Sequence, residues 1–424
     1  ILSGGYADLY GHKKTIFSAV ILKMIGYLLM ASQHSFFGFF SGCMLLATGT
    51  AIFKPAVQGL MASNLPKQYS SISWGVFYWL VNLGAFLGAV AAGYLRMISW
   101  PTVFYANAFI VSLNLVFLFL TQNSEPQSSN NTLEAKTHPW TLTIETLKGM
   151  FQPKLISFLL IYSGFWMMYN QIFDTLPNFL DDWINSSGVL IELGKFTGNQ
   201  EWISAGLNGG AIPQEWILSL NCLVFIFLML PFAWLVRKLN LIYSMVGGIL
   251  LTIAGTTMFG SSSASAWICI AGLLIFSVGE MAAGPRMREY LGLESPHGQE
   301  GRYMGYANLP EAIGWGFGSL IAGFWYENYS DKHTLAKKYL IENLHVNSQT
   351  VLKMPKENIL PTLSDKLGLD GIQLSKMLWQ IYHPEKIWFW FACAGMITVV
   401  GLIIHNIVFR DTVDKKDLKR KIID

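Results

Sequence analysis

The sequence predicts an all-α polytopic membrane protein, and two observations carry that expectation. Of 424 residues, 52% are hydrophobic and only 13% are charged, where a soluble chain carries about a quarter charged residues. The apolar residues also fall in blocks of about 20, the length that crosses a bilayer core. Backbone in hydrocarbon must satisfy its own hydrogen bonds, so each block is read as a helix. The same composition narrows the function. A net charge of +3 gives no reason to expect nucleic acid. Cys43, Cys222, Cys269 and Cys393 all lie inside apolar blocks with no CxxC spacing. The eight histidines show no metal-binding spacing, and no nucleophile–base pair stands at membrane depth. No metal, cofactor or catalytic residue is therefore expected, and the chain does not read as an enzyme.

Taken in order, a stub at 1–5 precedes ten spans, at 15–33, 36–63, 70–95, 100–121, 154–180, 214–237, 241–261, 264–285, 303–327 and 387–409. Charge, Gly/Pro or Asn signals bound each one. The chain opens on ILSGG, which reads as the last turn of a helix, so the first half is expected to lack its first helix and most of its second. A linker-like stretch, SEPQSSNNT, interrupts the spans. It divides the chain into an incomplete N-terminal bundle (1–121), a cytoplasmic linker (122–153), a C-terminal bundle (154–409) and a basic cytoplasmic tail (410–424). An insertion at 328–386 carries helical apolar spacing broken by Pro355, Pro361 and Pro384. It is expected to form a small extracytoplasmic cap.

The basic residues set orientation. With the turn after the stub inside, the cytoplasmic loops hold Lys13, Lys14, Lys67, Lys136, Lys148, Lys154, Arg237, Lys238, Arg286, Arg288 and Arg302. The outer loops, the insertion apart, hold only Arg96 and Lys195. A division into two halves, each with a basic pair between what would be its second and third helices, is a common plan for transporters.

The first turn, GGYADLYGHKKT, is read as a tight charged turn. Its spacing, Gly4-x-x-x-Asp8-x-x-Gly11-x-Lys13-Lys14, resembles the signature loop of the major facilitator superfamily. Glycines permit positive φ and close backbone approach. Asp8 is placed to accept hydrogen bonds from helix N-terminal amides, and Lys13 and Lys14 lie where anionic headgroups attract cations. The resemblance implies a loop that braces one bundle against the other; the plainer alternative is a solvated turn.

Further motifs narrow the resemblance to the proton-dependent oligopeptide transporter family. GTAIFKPAVQG (49–59), FYWLVNLGAF (77–86), FWMMYNQ (165–171), LSLNCLVFIFLMLPFAW (218–234) and GEMAAGP (279–285) are similar to its fourth, fifth, seventh, eighth and tenth helices. The implied fold is two helical bundles around a central cavity, with about ten full helices present here. The implied function is proton-coupled symport of small peptides by alternating access, driven by a proton gradient. The protein is expected to act as a monomer in the plasma (inner) membrane. Alternatives are a carrier for another solute, including drug export, and a non-transporting sensor.

Ionisable groups at membrane depth are functional candidates. By resemblance, Glu280 pairs with the peptide's amino group, and Lys54, beside Pro55, contributes to proton coupling and cargo binding. Read from the residues alone, Lys54 could instead snorkel to the headgroups, and Glu280 could pair with Lys54 or Lys23. Asn82 and Asn221 match asparagines that hydrogen-bond the peptide backbone, or else tie helices together. Tyr78, Trp166, Tyr169 and Trp315 are candidate pocket walls, the alternative being a lipid-facing or interfacial belt.

The chain departs from the pattern where an acid usually precedes Gln171: it has Tyr169 and Asn170. Asp174, one turn later, is either a substitute proton carrier or an external helix end. Ala56 replaces the asparagine usual after Lys-Pro. Lys23 is left as a cargo contact, an ion-pair partner or a snorkelling chain. Glu311 is either a cavity residue or part of a polar helix start. Gly314 and Gly318 form a face for close helix approach.

Overall fold

The computed structural model describes residues 2–65, 69–120, 139–262 and 265–423, and all regular structure among them is helical. The N-terminal half comprises α1 (Leu2–Tyr10), α2 (His12–Ser32), α3 (Phe36–Asn64), α4 (Ser70–Ile98) and α5 (Trp100–Leu120). After α6 (Pro139–Met150) the second half runs through α7 (Pro153–Tyr169), α8 (Gln171–Asp174), α12 (Gln214–Val236), α13 (Leu241–Gly260), α14 (Ala266–Glu294), α15 (Glu300–Tyr306), α16 (Leu309–Tyr329) and α21 (Lys386–Ile423). Short helices α9 (Leu176–Trp183), α10 (Ser187–Thr197) and α11 (Gln200–Leu207) join α8 to α12. Four more, α17 (Lys332–Glu342), α18 (Ser348–Leu352), α19 (Lys356–Leu367) and α20 (Gly371–Tyr382), make the cap. Among the described residues, nine helices are long and apolar enough to cross a membrane. The chain is a multi-pass membrane protein with the two-bundle architecture that the sequence predicts.

Local chemistry sets the ends of these helices. Ser35 accepts from the Gly38 amide at the start of α3, and Asn240 accepts from the Ile242 and Tyr243 amides at the start of α13. Asp370 and Gln373 form a reciprocal capping box on α20. Gly198 and Gly368 end α10 and α19 at positive φ. In the C-terminal half one apolar core runs from the membrane helices into the cap, through Phe179, Phe259, Leu363, Leu378 and Trp388.

Several boundaries differ from the sequence reading. The opening turn is mostly helix: α1 runs through Gly4, Gly5 and Asp8, and only Gly11 breaks it, with φ 90°. The expected span at 264–285 continues to Glu294, because Pro285 lies inside the helix and does not end it. Arg286 and Arg288 are consequently buried inside α14, and they drop out of the loop cations used for orientation. The expected span at 303–327 is two helices, α15 and α16, parted at Ala307–Asn308. The span at 154–180 breaks at Asn170 and again at Thr175. The last span is the front of a 38-residue helix that runs on through the expected tail. In the cap, Pro355 and Pro384 lie between helices, but Pro361 sits inside α19. Of the expected linker, α6 lies within the described residues, while SEPQSSNNT lies outside them.

The Gly314 face does what its spacing implies. A methyl group on Gly314 would lie 2.5 Å from the Ser163 carbonyl oxygen, so α16 crosses α7 at backbone contact.

Candidate functional site: a carboxylate pocket and a cross-bundle ionic network

Glu280 sits one and a half turns before Pro285 on α14. Its carboxylate accepts a hydrogen bond from the Tyr169 hydroxyl at 2.6 Å and another from Asn221 Nδ2 at 2.9 Å. Asn221 also donates to Ser277 Oγ at 3.0 Å. Three helices, α7, α12 and α14, thus converge on one carboxylate. No cation among the described residues pairs with it; Lys54 and Lys23, the partners weighed from sequence, are engaged elsewhere. Lys23 lies 4.4 Å from the centre of the Phe53 ring, a cation–π contact within the N-terminal bundle. Trp166, 7% exposed, packs edge-on against Tyr169 at 5.0 Å, and its indole N–H has no partner. It stands directly beside the Glu280 pocket.

Lys54 leads to a second group. Its Nζ lies 3.2 Å from Glu311 Oε2, which also accepts from Arg288 Nη2 at 3.1 Å. Arg288 Nε donates to the Tyr78 hydroxyl at 2.7 Å, and Nη1 donates to Gln58 Oε1 at 3.2 Å and to Asn308 Oδ1 at 3.5 Å. Lys54, Gln58 and Tyr78 belong to the N-terminal half; Arg288, Asn308 and Glu311 belong to the C-terminal half. Arg288 is 2% exposed, while the Lys54 side chain is 42% exposed and reaches open space. Of the two sequence readings of Glu311, the structure gives it a place in the network. Tyr78 is likewise a network member, held by Arg288.

A parallel cross-bundle link flanks Arg288 on α14. Arg286 Nη1 donates to Glu289 Oε2 at 2.9 Å and Nη2 donates to the Val236 carbonyl. Glu289 also accepts from Ser71 Oγ at 3.1 Å.

The signature segment closes one end of the seam between the two halves. Asp8 accepts from the Gly301 and Arg302 amides, both at 2.7 Å, at the start of α15. Gly4 meets Gly301 at backbone distance: a methyl group on Gly4 would sit 2.0 Å from the Gly301 carbonyl oxygen. His12 Nε2 lies 3.7 Å from Asp8 Oδ1. Lys14 is exposed and Lys13 half-buried on the first turn of α2. Further along the same seam Trp79 Nε1 donates to the Ile226 carbonyl at 2.8 Å. These contacts join the two halves at the end that carries the signature segment, the end that the basic residues of the sequence assign to the cytoplasm.

Two sequence candidates lie apart from the pocket. Asn82 donates to the Tyr78 carbonyl of its own helix at 3.0 Å. Asp174 stands at the outer end, where it accepts from Trp315 Nε1 at 3.1 Å and Ser319 Oγ at 2.5 Å. It lines an outer cavity of about 480 Å³ together with Asp181, Asp182 and Glu327. Its position is that of an external helix end.

Sequence reasoning missed Arg288, Gln58, Arg286 and Glu289. Two signals pointed to the first pair. Gln58 is four residues after Lys54 and so shares its helix face. Arg288 is eight residues after Glu280, about 12 Å along an unbroken helix, and reading Pro285 as a terminator hid it.

Residues 1–194 match the model of the Major Facilitator Superfamily. Among curated proteins, the chain is 19% identical over 338 residues to multidrug resistance protein MdtH of Shigella sonnei (strain Ss046), covering 78% of this chain and 75% of that one. It is 20% identical over 332 residues to the protein of the same name from Enterobacter sp. (strain 638), covering 77% and 74%. Among solved structures it is similar to the major facilitator transporter FucP in the outward conformation, with TM-score 0.59 and 13% identity over 93% of this chain and 83% of that one. It is also similar to a mutant of peptide transporter POT in complex with sulfate, with TM-score 0.54 and 16% identity over 97% and 84%. The helical architecture and these likenesses show the fold of major facilitator transporters, and the first 194 residues carry the match to that superfamily's model.

Proposed function

We propose that the protein carries small peptides or similar zwitterions across the plasma (inner) membrane in symport with protons, by alternating access. The observation that carries this reading is Glu280, a carboxylate inside the helical bundle held by two neutral donors and no cation. An unpaired charge in a low-dielectric interior is costly. An ammonium group on the cargo supplies the missing partner, and Tyr169 and Asn221 orient the carboxylate towards it. Lys54, exposed on the other side of the same region, offers a positive end to the cargo's carboxylate. The proton gradient is the energy source in this reading, and Glu280 and Lys54 are the groups whose charge changes with cargo and protons. The similarity to a peptide transporter fold is consistent with it, as are the five helix motifs.

Drug export is the second reading, and the similarity to the MdtH proteins favours it. Glu280 then pairs with a cationic, partly apolar drug, and Trp166 and Tyr169 supply aromatic walls. Uptake into proteoliposomes separates the two. With an inward proton gradient, labelled dipeptides should accumulate, should collapse to equilibrium when the gradient is dissipated, and should outcompete sugars and lipophilic cations. Accumulation of lipophilic cations when the gradient is reversed, with the vesicle interior acidic so that protons leave as cargo enters, and no effect of dipeptides would establish the second reading instead. Glu280→Gln should reduce dipeptide uptake by at least about tenfold, the scale of one lost charge-assisted contact.

A further inference from the structure

We infer that Arg288 is the clamp that holds the cytoplasmic side closed, and that its N-terminal-bundle acceptors, Tyr78 and Gln58, set how firmly it holds. This rests on the reading of the protein as an alternating-access carrier but not on the identity of its cargo.

Four of the five guanidinium N–H groups are used, and they divide between the two bundles. Nε meets Tyr78 on α4, one Nη1 hydrogen meets Gln58 on α3, and the remaining two bonds go to Asn308 and Glu311 beside α16. The planar fork of arginine can hold four acceptors at once, which a lysine point charge cannot. When the cytoplasmic side opens, α3 and α4 move away from α14 and α16. Arg288, Asn308 and Glu311 stay together on the C-terminal side. Tyr78, Gln58 and Lys54 leave. Arg288 then loses two acceptors and Glu311 loses one of its two cations.

Burial sets this bond set apart from the neighbouring Lys54–Glu311 pair. The Lys54–Glu311 pair has a lysine side chain 42% exposed, and water competes for such a pair. Arg288 is 2% exposed, so stripped donors there stay unpartnered until water enters. Opening is favoured only when something else satisfies the guanidinium. The arrangement therefore keeps the cytoplasmic side shut in the empty carrier.

The test measures conformation without cargo, so it stands even if the peptide assignment fails. Spin labels replace the exposed Lys14 and His297 on opposite sides of the cytoplasmic seam, with the four native cysteines replaced. Pulsed electron paramagnetic resonance then reads the distance distribution. Arg288→Gln is the direct variant, but it can fail to fold, so the acceptors are varied instead. Tyr78→Phe removes one acceptor and keeps the ring. It should raise the long-distance population relative to the short one by about tenfold, the value of one hydrogen bond to a charged group. Adding Gln58→Glu to that variant gives Arg288 an ionic acceptor on α3 and should return the distribution to the short distance. Arg288→Lys should behave like Tyr78→Phe and should not be rescued. An unchanged distribution in Tyr78→Phe, or a shift in the same direction on adding Gln58→Glu, would overturn the clamp.

Discussion

At the scale of residues, the positions that matter differ in how many partners each can lose. Glu311 is shared by Lys54 and Arg288, so Lys54→Ala leaves it paired. Arg288→Ala removes a buried guanidinium from Tyr78, Gln58 and Glu311 together and leaves a half-buried carboxylate with a partly exposed lysine as its sole counter-charge. Breaking a buried pair from one side typically costs about 3–5 kcal/mol, whereas losing an exposed partner costs about 1 kcal/mol or less. Thermal unfolding in detergent should therefore show Lys54→Ala close to wild type and Arg288→Ala well below it. In transport, Lys54→Ala should lose gradient-driven accumulation more than exchange of bound cargo. Equal loss of both would leave Lys54 a binding role alone.

The same residues show what could be read from sequence. Glu280 and Lys54 stood out because charge among apolar neighbours is expensive and therefore noticeable. Tyr169 reads from sequence as a motif departure and a candidate aromatic wall, and its hydroxyl is the closest partner of Glu280. A tyrosine in an apolar run has no such contrast, so its hydrogen bond is invisible until three helices converge. Arg288 was visible but misplaced, because a proline followed by two arginines has the composition of a cytoplasmic helix end.

At the scale of elements, hydrophobic length located the spans, and polar interruptions inside them were harder to place. α15 and α16 merged into one expected span because Ala307–Asn308 breaks the helix without a proline or glycine to mark it. The cap was legible as helical pieces from its apolar spacing. Its attachment was not, since that depends on Trp183 donating to the Ser330 carbonyl and on Tyr326 donating to Asp182 at 2.7 Å. Burial raises the Asp182 carboxyl, as does the neighbouring Asp331; the Tyr326 hydroxyl, the Lys332 amide and His333 pull it down without cancelling that rise. A carboxyl raised in the folded state holds its proton more tightly there than in the unfolded chain. Its contribution is full at low pH and is lost as pH rises through the folded-state value. Thermal stability should fall as pH rises above about 4, the ordinary value of an aspartate, and Asp182→Asn should flatten that slope. An equal slope in both proteins would remove Asp182 as its source.

At the scale of the whole molecule, the seam between the bundles is closed at its cytoplasmic end by backbone contact as well as by charge. Gly4 and Gly301 touch where no side chain fits, and Asp8 caps α15 across the seam. Gly4→Val should wedge this end apart, so that a thiol reagent applied from the cytoplasmic side labels a cysteine placed at Gln58 faster than in the parent protein. Unchanged labelling would mean that the seam closes without this contact. The signature segment was legible because its spacing is short and local. The Arg288 network was not, because its members are separated by up to 257 residues and meet only when both bundles have formed.

The central claim is that an amino group on the cargo completes the charge of Glu280. Binding of a dipeptide and of its N-acetylated form to the purified protein tests this most directly. The account predicts that acetylation, which turns the ammonium into a neutral amide, weakens binding by at least about tenfold, and that Glu280→Gln erases the difference between the two ligands. Equal binding of both ligands to the wild-type protein would contradict it.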